Sequence, residues 1–539
     1  MSIAQNKEKT YSSFLHVIFI SLIPIFILYT ANIGKISLDE LIISIIIITG
    51  FPLIIFWFFK KKIRVDKIAL VISITMIVIF SYGHLYNFFS ENTIFNFDLG
   101  RTRYVIPIIT IPSAIMIFFI FKTNKNLHDL NKIIAITSIV FFLVIVSNTF
   151  IVTLNNFDCV DCLNTEFFYE TRDFSKYFDS FNYSIQSNQS LPNVYYLILD
   201  EYARSDLLKE YHKFDNSDII NFLELKGFHI AEQSFSNYPM SIQSIPATMN
   251  MDYINFLQKE IGQDVRNYKP LNEKNYGLYA NNQVIKNFKT LNYNIVTFNT
   301  FALHLYPNPL SDLILCERQV NLLDNKLIDS ISRMSIFGYL VERWGEEQLR
   351  QVTKCALNEF PMISEKIDSP FFVWAHVMLP HPPWIFGPNG EEITPGKPLL
   401  ITDNPEYRDS QWDVKRQYIQ QLEFANKNIK NIVNKILEID PYSIIVIQGD
   451  HGTAWDINWD EPSDEEIFQR LRNFDAIYFP DEIKRDRLED DRTLVNTFRI
   501  IFNQYFDAEY KILEDKMYWG KNLLPYSFAN VTDSINRMK

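Results

Sequence analysis

The stretch "SIIVIQGDHG", Ser443 to Gly452, decides the fold. Ile444, Ile445, Val446 and Ile447 form an unbroken β-branched run, the pattern of a strand covered on both faces. The run ends on a carboxylate and an imidazole side by side, Asp450 and His451. Gly452 follows and is expected to let the chain turn away. A buried strand with this ending aims two ligating groups past the edge of a sheet.

Four further short apolar runs read as buried strands: "NVYYLIL" (193–199), "NIVTF" (294–298), "FFVWAHV" (371–377) and "DAIYF" (475–479). Helical patterns separate them, including 216–226 and 413–438. Strands alternating with helices predict a largely parallel sheet with helices on both faces. Ligand sites in such sheets lie beyond the carboxyl ends of the strands. Asp200, Glu201 and Arg204 follow the first strand. His376 and His381 sit at or after "FFVWAHV", and Asp450 and His451 follow the opening run. One Asp at a strand end is ordinarily a cap or turn former. Acidic and imidazole groups at three strand ends instead make a mixed donor set suited to Zn²⁺ or Mn²⁺, with Ca²⁺ or Mg²⁺ as further options.

Between the first two strands lies "SFSNYPMSIQSIPATMN", 234–250, rich in hydroxyls and restricted by Pro239 and Pro246. A Ser at a helix N-terminus meets unpaired backbone N–H groups and the positive end of the helix dipole, a favourable place for a phosphate. A bound metal lowers a hydroxyl pKa and makes it a nucleophile.

The 539 residues fall into two unlike parts. Residues 1–155 are dominated by Ile, Phe, Leu and Val and contain five apolar stretches, near 11–31, 38–59, 66–89, 103–121 and 132–153. Roughly 20 apolar residues suffice to cross a bilayer, so five spans are expected. Lys7, Lys9, Lys60, Lys61, Lys62, Arg64, Lys67, Lys122, Lys125 and Lys132 flank one side of these spans. Only Lys35, Arg101 and Arg103 flank the other. The basic excess marks the inner side, so an odd number of spans carries the remainder of the chain outside. His16 and His84 fall within spans, where packing is the expected role rather than a proton relay. The net charge of −12 gives no indication of a nucleic-acid partner. Of the four cysteines, Cys159 and Cys162 form "CVDC" after the last span, read as a local staple or free thiols. Cys316 and Cys355 lie far apart, and their pairing stays open.

"NVYYLILDEYARSD", "SNYPMSIQSIPA", "FFVWAHVMLPHPPW" and "IIVIQGDHG" follow one another in an order that resembles the sulfatase-like branch of the alkaline phosphatase superfamily. Five spans before an outward domain resemble its membrane phosphotransferases, the lipoteichoic acid synthases and lipid A phosphoethanolamine transferases. "FDNSDIINFLELKGFHIAEQSFSNYP" and "TLVNTFRIIFNQYF" resemble uncharacterised membrane-bound members. The resemblance covers most of residues 190–505. It implies Glu201 as a metal carboxylate, with Asp200 beside it, and Asp450 and His451 as the Asp-His metal pair. It implies Ser241 as nucleophile and further metal ligand, in Ser241-Ile-Gln-Ser244-Ile-Pro246, where relatives carry Thr-x-x-Ser-x-Pro. His376 and His381 match the substrate-binding histidines.

Two departures qualify the match. Ser244-Ile-Pro246-Ala-Thr248 lacks the Arg at +4 that formylglycine formation requires. The segment "TAWDINWDEPSDEE" lacks the further His of the phosphoethanolamine transferases, which argues against a second metal. Trp374 and Trp384 flank the histidines, with core packing their default role.

The expected architecture is therefore a five-helix transmembrane domain (1–155), a linker (156–190) and an extracytoplasmic sulfatase-like α/β domain (191–539). The expected protein is a multi-pass inner-membrane enzyme with one divalent metal. It transfers a phosphoryl-headgroup unit, such as phosphoethanolamine or glycerol phosphate, through a covalent Ser intermediate. The donor is a membrane phospholipid and the acceptor an envelope glycan or glycolipid. The competing readings are a sulfate or phosphate ester hydrolase and a non-catalytic membrane protein with a relic site.

Overall fold

The computed structural model describes residues 3–33, 36–91, 102–157, 174–183, 191–261, 278–279, 281–300, 308–317, 322, 325–393, 414–453, 457–521 and 524–538. The chain divides into two compact units, residues 1–168 with 319–345, and residues 169–318 with 346–539.

The first unit holds five long helices: α1 (Ile3–Ala31), α2 (Leu38–Phe59), α3 (Val65–Glu91), α4 (Thr102–Lys122) and α5 (His128–Phe157). All five are long and apolar enough to cross a membrane, and large side chains such as Ile46, Phe51, Phe119 and Phe150 stand exposed on them. Helix α1 packs on α2, α3 and α5, and α3 packs on α4. His16 is buried among them. Its Nδ1 lies 2.7 Å from Ser73 Oγ and its Nε2 2.7 Å from Asn131 Oδ1. Both ring nitrogens are thus satisfied within the bundle, the packing role expected from sequence. His84 is exposed.

A short helix, Lys326–Arg333, also belongs to this unit. Asn325 caps it by accepting from the N–H groups of Leu327 and Ile328, and its amide donates to the Glu40 carbonyl at 2.9 Å. Leu327 and Ile331 are buried against Ile25, Ile36 and Leu41.

The second unit is built on a seven-stranded sheet. Its strands are β1 (Val194–Leu199), β2 (Phe228–Ile230), β3 (Asn294–Phe298), β4 (Leu313–Leu315), β5 (Phe371–Val377), β6 (Ile444–Gly449) and β7 (Asp475–Tyr478). Their order is β2-β7-β6-β1-β5-β3-β4, and a separate hairpin pairs β8 (Tyr518–Lys521) with β9 (Leu524–Asn530). β6, β1, β5, β3 and β4 run parallel; β7 and β2 add an antiparallel edge. All five runs read as strands are strands.

Alternation along β1 divides the core. Tyr195, Leu197 and Leu199 face a cluster containing Leu422, Ile429 and Val433 of the helix Val414–Ile439. Val194, Tyr196 and Ile198 face a second cluster containing Phe288, Phe498 and Phe502. Trp374 lies in this second cluster, so its default packing role holds. Covering both faces is what allows β1 to be built of apolar and aromatic residues throughout, and β5 and β6 to be apolar up to His376 and Gln448 near their ends.

Cys316 and Cys355 form a disulfide. Cys159 and Cys162 lie outside the described residues.

Candidate active site

Register brings the site together. Leu199 pairs with Val377 on one side and with Gly449 on the other, so β1, β5 and β6 end level. Asp200 and Asp450 are then the first residues beyond their strands, side by side. His376 pairs with Ile198, placing its ring on the same face of the sheet as Asp200, two residues on. The result is a buried group, Asp200, His376 and Asp450, whose ligating atoms all lie within 4.8 Å of one another.

His376 Nε2 lies 3.1 Å from Asp200 Oδ2. Burial opposes ionisation of both groups. The neighbouring His381, His376 and His451 nevertheless hold the Asp200 carboxyl well below the usual range. For His376, the hydrogen bond and charge of Asp200 outweigh burial and raise its pKa.

Asp450 Oδ1 accepts the backbone N–H groups of Glu201 and His451, each at 3.0 Å. Asp450 Oδ2 and Asp200 Oδ1 are buried with no hydrogen-bonding partner among the described residues. Buried acceptors left this way are costly unless a cation completes them. His451 Nδ1 lies 3.0 Å from the Gly452 carbonyl, which fixes the proton on Nδ1 and leaves the lone pair on Nε2. Burial, with Arg470 adjacent, pushes the His451 pKa down, so the ring is neutral. Its Nε2 lies 3.3 Å from Ser241 Oγ, 3.4 Å from Asp450 Oδ2 and 3.8 Å from Asp200 Oδ1. Two carboxylates, an imidazole and an alcohol therefore face one small space, a donor set that fits a divalent metal.

Gly452 serves close packing rather than a left-handed turn. A Cβ there would lie 2.3 Å from the Arg472 carbonyl oxygen and 2.5 Å from that of Gln469.

Ser241 is the first residue of the helix Ser241–Asn250 and is half-buried. Ser244 is fully buried. Its Oγ donates to the Asp450 carbonyl at 2.6 Å and lies 3.1 Å from Ser236 Oγ. Thr248, where the formylglycine pattern has Arg, donates back to the Ser244 carbonyl at 2.9 Å. The two serines thus differ: Ser241 faces His451 from an accessible helix start, and Ser244 ties that helix to the end of β6.

Glu201 is fully buried beside the Asp200–His376–Asp450 group without being one of its three members. Its φ of +63° is left-handed, an unusual state for a non-glycine residue. The Asp450 carboxylate accepts its N–H, and the Tyr418 hydroxyl donates to its carbonyl at 2.9 Å. Its Oε1 accepts from Arg470 Nη1 at 2.8 Å and from Thr453 Oγ1 at 3.1 Å. His381 follows β5, its N–H donating to the Asp200 carbonyl at 3.2 Å and its Nδ1 lying against the Pro382 carbonyl. Trp384 is half-buried, with Nε1 donating to the Pro380 carbonyl. Arg204, another strand-end residue, pairs with Asp206. Arg470 and Thr453 carry no sequence signal of a site role: one lies inside an amphipathic helix and the other follows the Asp-His-Gly turn.

The family model described as Sulfatase matches residues 192–466, just over half of the chain. The chain belongs to the sulfatase family. It is an enzyme of the sulfatase-like class, and its apolar helices mark it as membrane-anchored. Among solved structures, this sulfatase-family chain is similar to the C-terminal periplasmic domain of EcEptC from Escherichia coli in complex with Zn. The identity is 8%, the TM-score 0.43, and the match covers 66% of this chain and 97% of that one. It is also similar to the C-terminal periplasmic domain of phosphoethanolamine transferase EptC from Campylobacter jejuni, at 12% identity and TM-score 0.34, covering 60% and 92%. A third is a protein in the alkaline phosphatase superfamily from Vibrio parahaemolyticus, at 11% identity and TM-score 0.38, covering 66% and 79%. No curated protein matches.

Proposed function

We propose that this chain transfers a phosphoryl-headgroup unit from a membrane phospholipid to an envelope glycan or glycolipid, through a covalent intermediate on Ser241. The observation that carries the reading is the 3.3 Å approach of Ser241 Oγ to the neutral Nε2 of His451, beside two buried carboxylates that each keep an oxygen without a hydrogen bond.

Asp450 and His451, with a carboxylate from Glu201 and its neighbour Asp200, would hold a divalent cation, Zn²⁺ or Mn²⁺ by donor type, with the Ser241 hydroxyl completing the set. When bound, it lowers the pKa of the hydroxyl and offsets charge on the phosphoryl oxygens. Ser241 Oγ attacks phosphorus in line with the departing alcohol. Its place at a helix start puts backbone N–H groups and the positive helix end near the phosphoryl oxygens. His376, held by Asp200, and His381 stand on the β5 side, where they bind the phosphoryl oxygens and supply the leaving group's proton. A second alcohol then takes the phosphoryl unit from Ser241.

The extracytoplasmic placement of the second unit rests on the Lys and Arg bias between spans. The choice of a lipid donor rests on the five-span anchor, since one span would tether a simple esterase. A nucleophilic alcohol lacking the formylglycine Arg favours phosphorus over sulfate.

The experiment supplies labelled phosphatidylethanolamine or phosphatidylglycerol to membranes containing the wild-type chain or Ser241→Ala. Label should pass to a glycan or glycolipid only when Ser241 is present. Release solely as free headgroup phosphate, with rapid turnover of an aryl sulfate or phosphate ester, would establish a hydrolase instead.

A further inference from the structure

The helical bundle of the first unit carries a groove between α2 and α3, with a volume of about 250 Å³. Its floor is Ile68, Ile72 and Met76 of α3, buried together with Val17 of α1. Phe51 and Phe59 of α2 stand exposed along it, so it opens on the lateral surface of the bundle. Thr75 is the one polar residue lining it, and the Thr75 hydroxyl donates to the Val71 carbonyl at 2.9 Å. The groove therefore offers hydrocarbon and a hydroxyl whose proton is already placed, a surface that suits an apolar occupant.

Two observations say what fills it. The first is length. From Ile68 to Ile79 the α3 wall rises about 16 Å at 1.5 Å per residue. That is about half of the roughly 30 Å hydrocarbon core, the depth of a single leaflet and so of one acyl chain. The second is charge. Phe59 and Ile63 line one end of the groove, and Lys60, Lys61 and Lys62 lie between them in sequence. The neighbouring cations are taken up. Arg64 pairs with Asp66 at 2.6 Å and donates to the Lys125 carbonyl at 3.1 Å, and Lys67 donates to the Phe121 and Thr123 carbonyls. Among the described residues, no carboxylate pairs with Lys60, Lys61 or Lys62. Lys60 Nζ lies 5.8 Å from the centre of the Trp57 ring, and Lys62 Nζ 5.1 Å from that of Phe58. Lysines laid over aromatic rings at a span's end mark the headgroup level of a bilayer.

We propose that this groove is a binding site for an anionic phospholipid, with one acyl chain lying between α2 and α3 and the phosphate resting on Lys60, Lys61 and Lys62. The Lys and Arg bias makes this the inner leaflet, so the lipid is separate from a donor used on the outer side. The inference rests on the five helices crossing a bilayer and not on the proposed reaction.

The test uses the full chain, delipidated in detergent and titrated with phosphatidylglycerol or phosphatidylcholine of the same acyl chains. Bound lipid is counted by native mass spectrometry, with melting temperature read in parallel. Wild type should hold one phosphatidylglycerol, at least about tenfold more tightly than phosphatidylcholine. The variant Lys60→Gln/Lys61→Gln/Lys62→Gln should bind the two lipids within about threefold of each other. Because these lysines also orient the spans, and their loss risks misinsertion, Thr75→Trp is the second arm. It keeps every basic residue and fills the groove from an exposed position. It should weaken binding of both lipids at least about tenfold, with the melting temperature of the lipid-free chain unchanged. Equal affinities in wild type, an undiminished preference in the lysine variant, or undiminished lipid binding by Thr75→Trp would each overturn the proposal. A lipid-free wild-type dimer that Thr75→Trp dissociates would assign the groove to a second copy of the chain instead.

Discussion

Ser244 Oγ donates to the Asp450 carbonyl at 2.6 Å, while Ser241, one helical turn earlier, faces the His451 ring. Their substitutions should therefore separate. Ser241→Ala should abolish turnover with little change in melting temperature, and Ser241→Thr should retain part of the activity. Ser244→Ala removes a buried hydrogen bond and should cost about 1–2 kcal/mol of stability, with a smaller loss of turnover. Turnover lost in Ser244→Ala but kept in Ser241→Ala would place the nucleophile one turn further along.

Asp450→Asn and His451→Ala should each lower metal content and activity together, since each takes away a donor at the space between β1 and β6. Elemental analysis of the purified variants decides this. Full metal occupancy in both would rule out the assignment.

Gly452→Ala should destabilise by about 1–3 kcal/mol, because the atoms its Cβ would meet are the backbone oxygens of Arg472 and Gln469, which cannot swing aside as a side chain would. The displaced His451 should also weaken metal binding. A variant with wild-type melting temperature and metal affinity would refute the close-packing explanation.

His212 offers a pH test away from the site. Burial, with Lys415 adding to it, pushes this imidazole down to about 4. In the unfolded chain it titrates near 6.5, so between those values the unfolded state binds the extra proton. The contribution is present above about pH 6.5 and lost as pH falls toward 4, on the order of 3 kcal/mol in full. Wild type should lose more melting temperature between pH 7.5 and 5 than His212→Gln. Equal losses would contradict the depressed pKa.

Topology is checked by fusions. A reporter joined after residue 155 should be active outside the membrane, and one joined near Lys62 inside. Cytoplasmic activity of the first would reverse the orientation drawn from the basic residues.

The strands that carry the site were legible because β1, β5 and β6 are covered on both faces and each opens on a run of at least four apolar residues. β2 and β4 escaped notice because each spans three residues near a sheet edge, too short for a pattern. That acidic and imidazole groups gather where β1, β5 and β6 end could be anticipated from strand ends alone. The backbone at Glu201 could not be anticipated: its φ of +63° breaks the alternation a strand would have continued, so the side-chain directions of the two consecutive acids do not follow from the pattern. Arg470 was equally hidden: its partner lies 269 positions away, and only the tertiary fold pairs them.

The short helix Lys326–Arg333 bears on any attempt to prepare the catalytic part alone. It folds with the apolar helices although it lies between two stretches of the other unit. Cutting the chain once, within 156–190, would strip Leu327 and Ile331 of their cover and leave a sticky patch prone to aggregation. A cleaner soluble fragment would also excise residues 319–345 and bridge the gap with a short linker. Cys316 and Cys355, with Cα atoms 5.7 Å apart, already fasten the two flanks together.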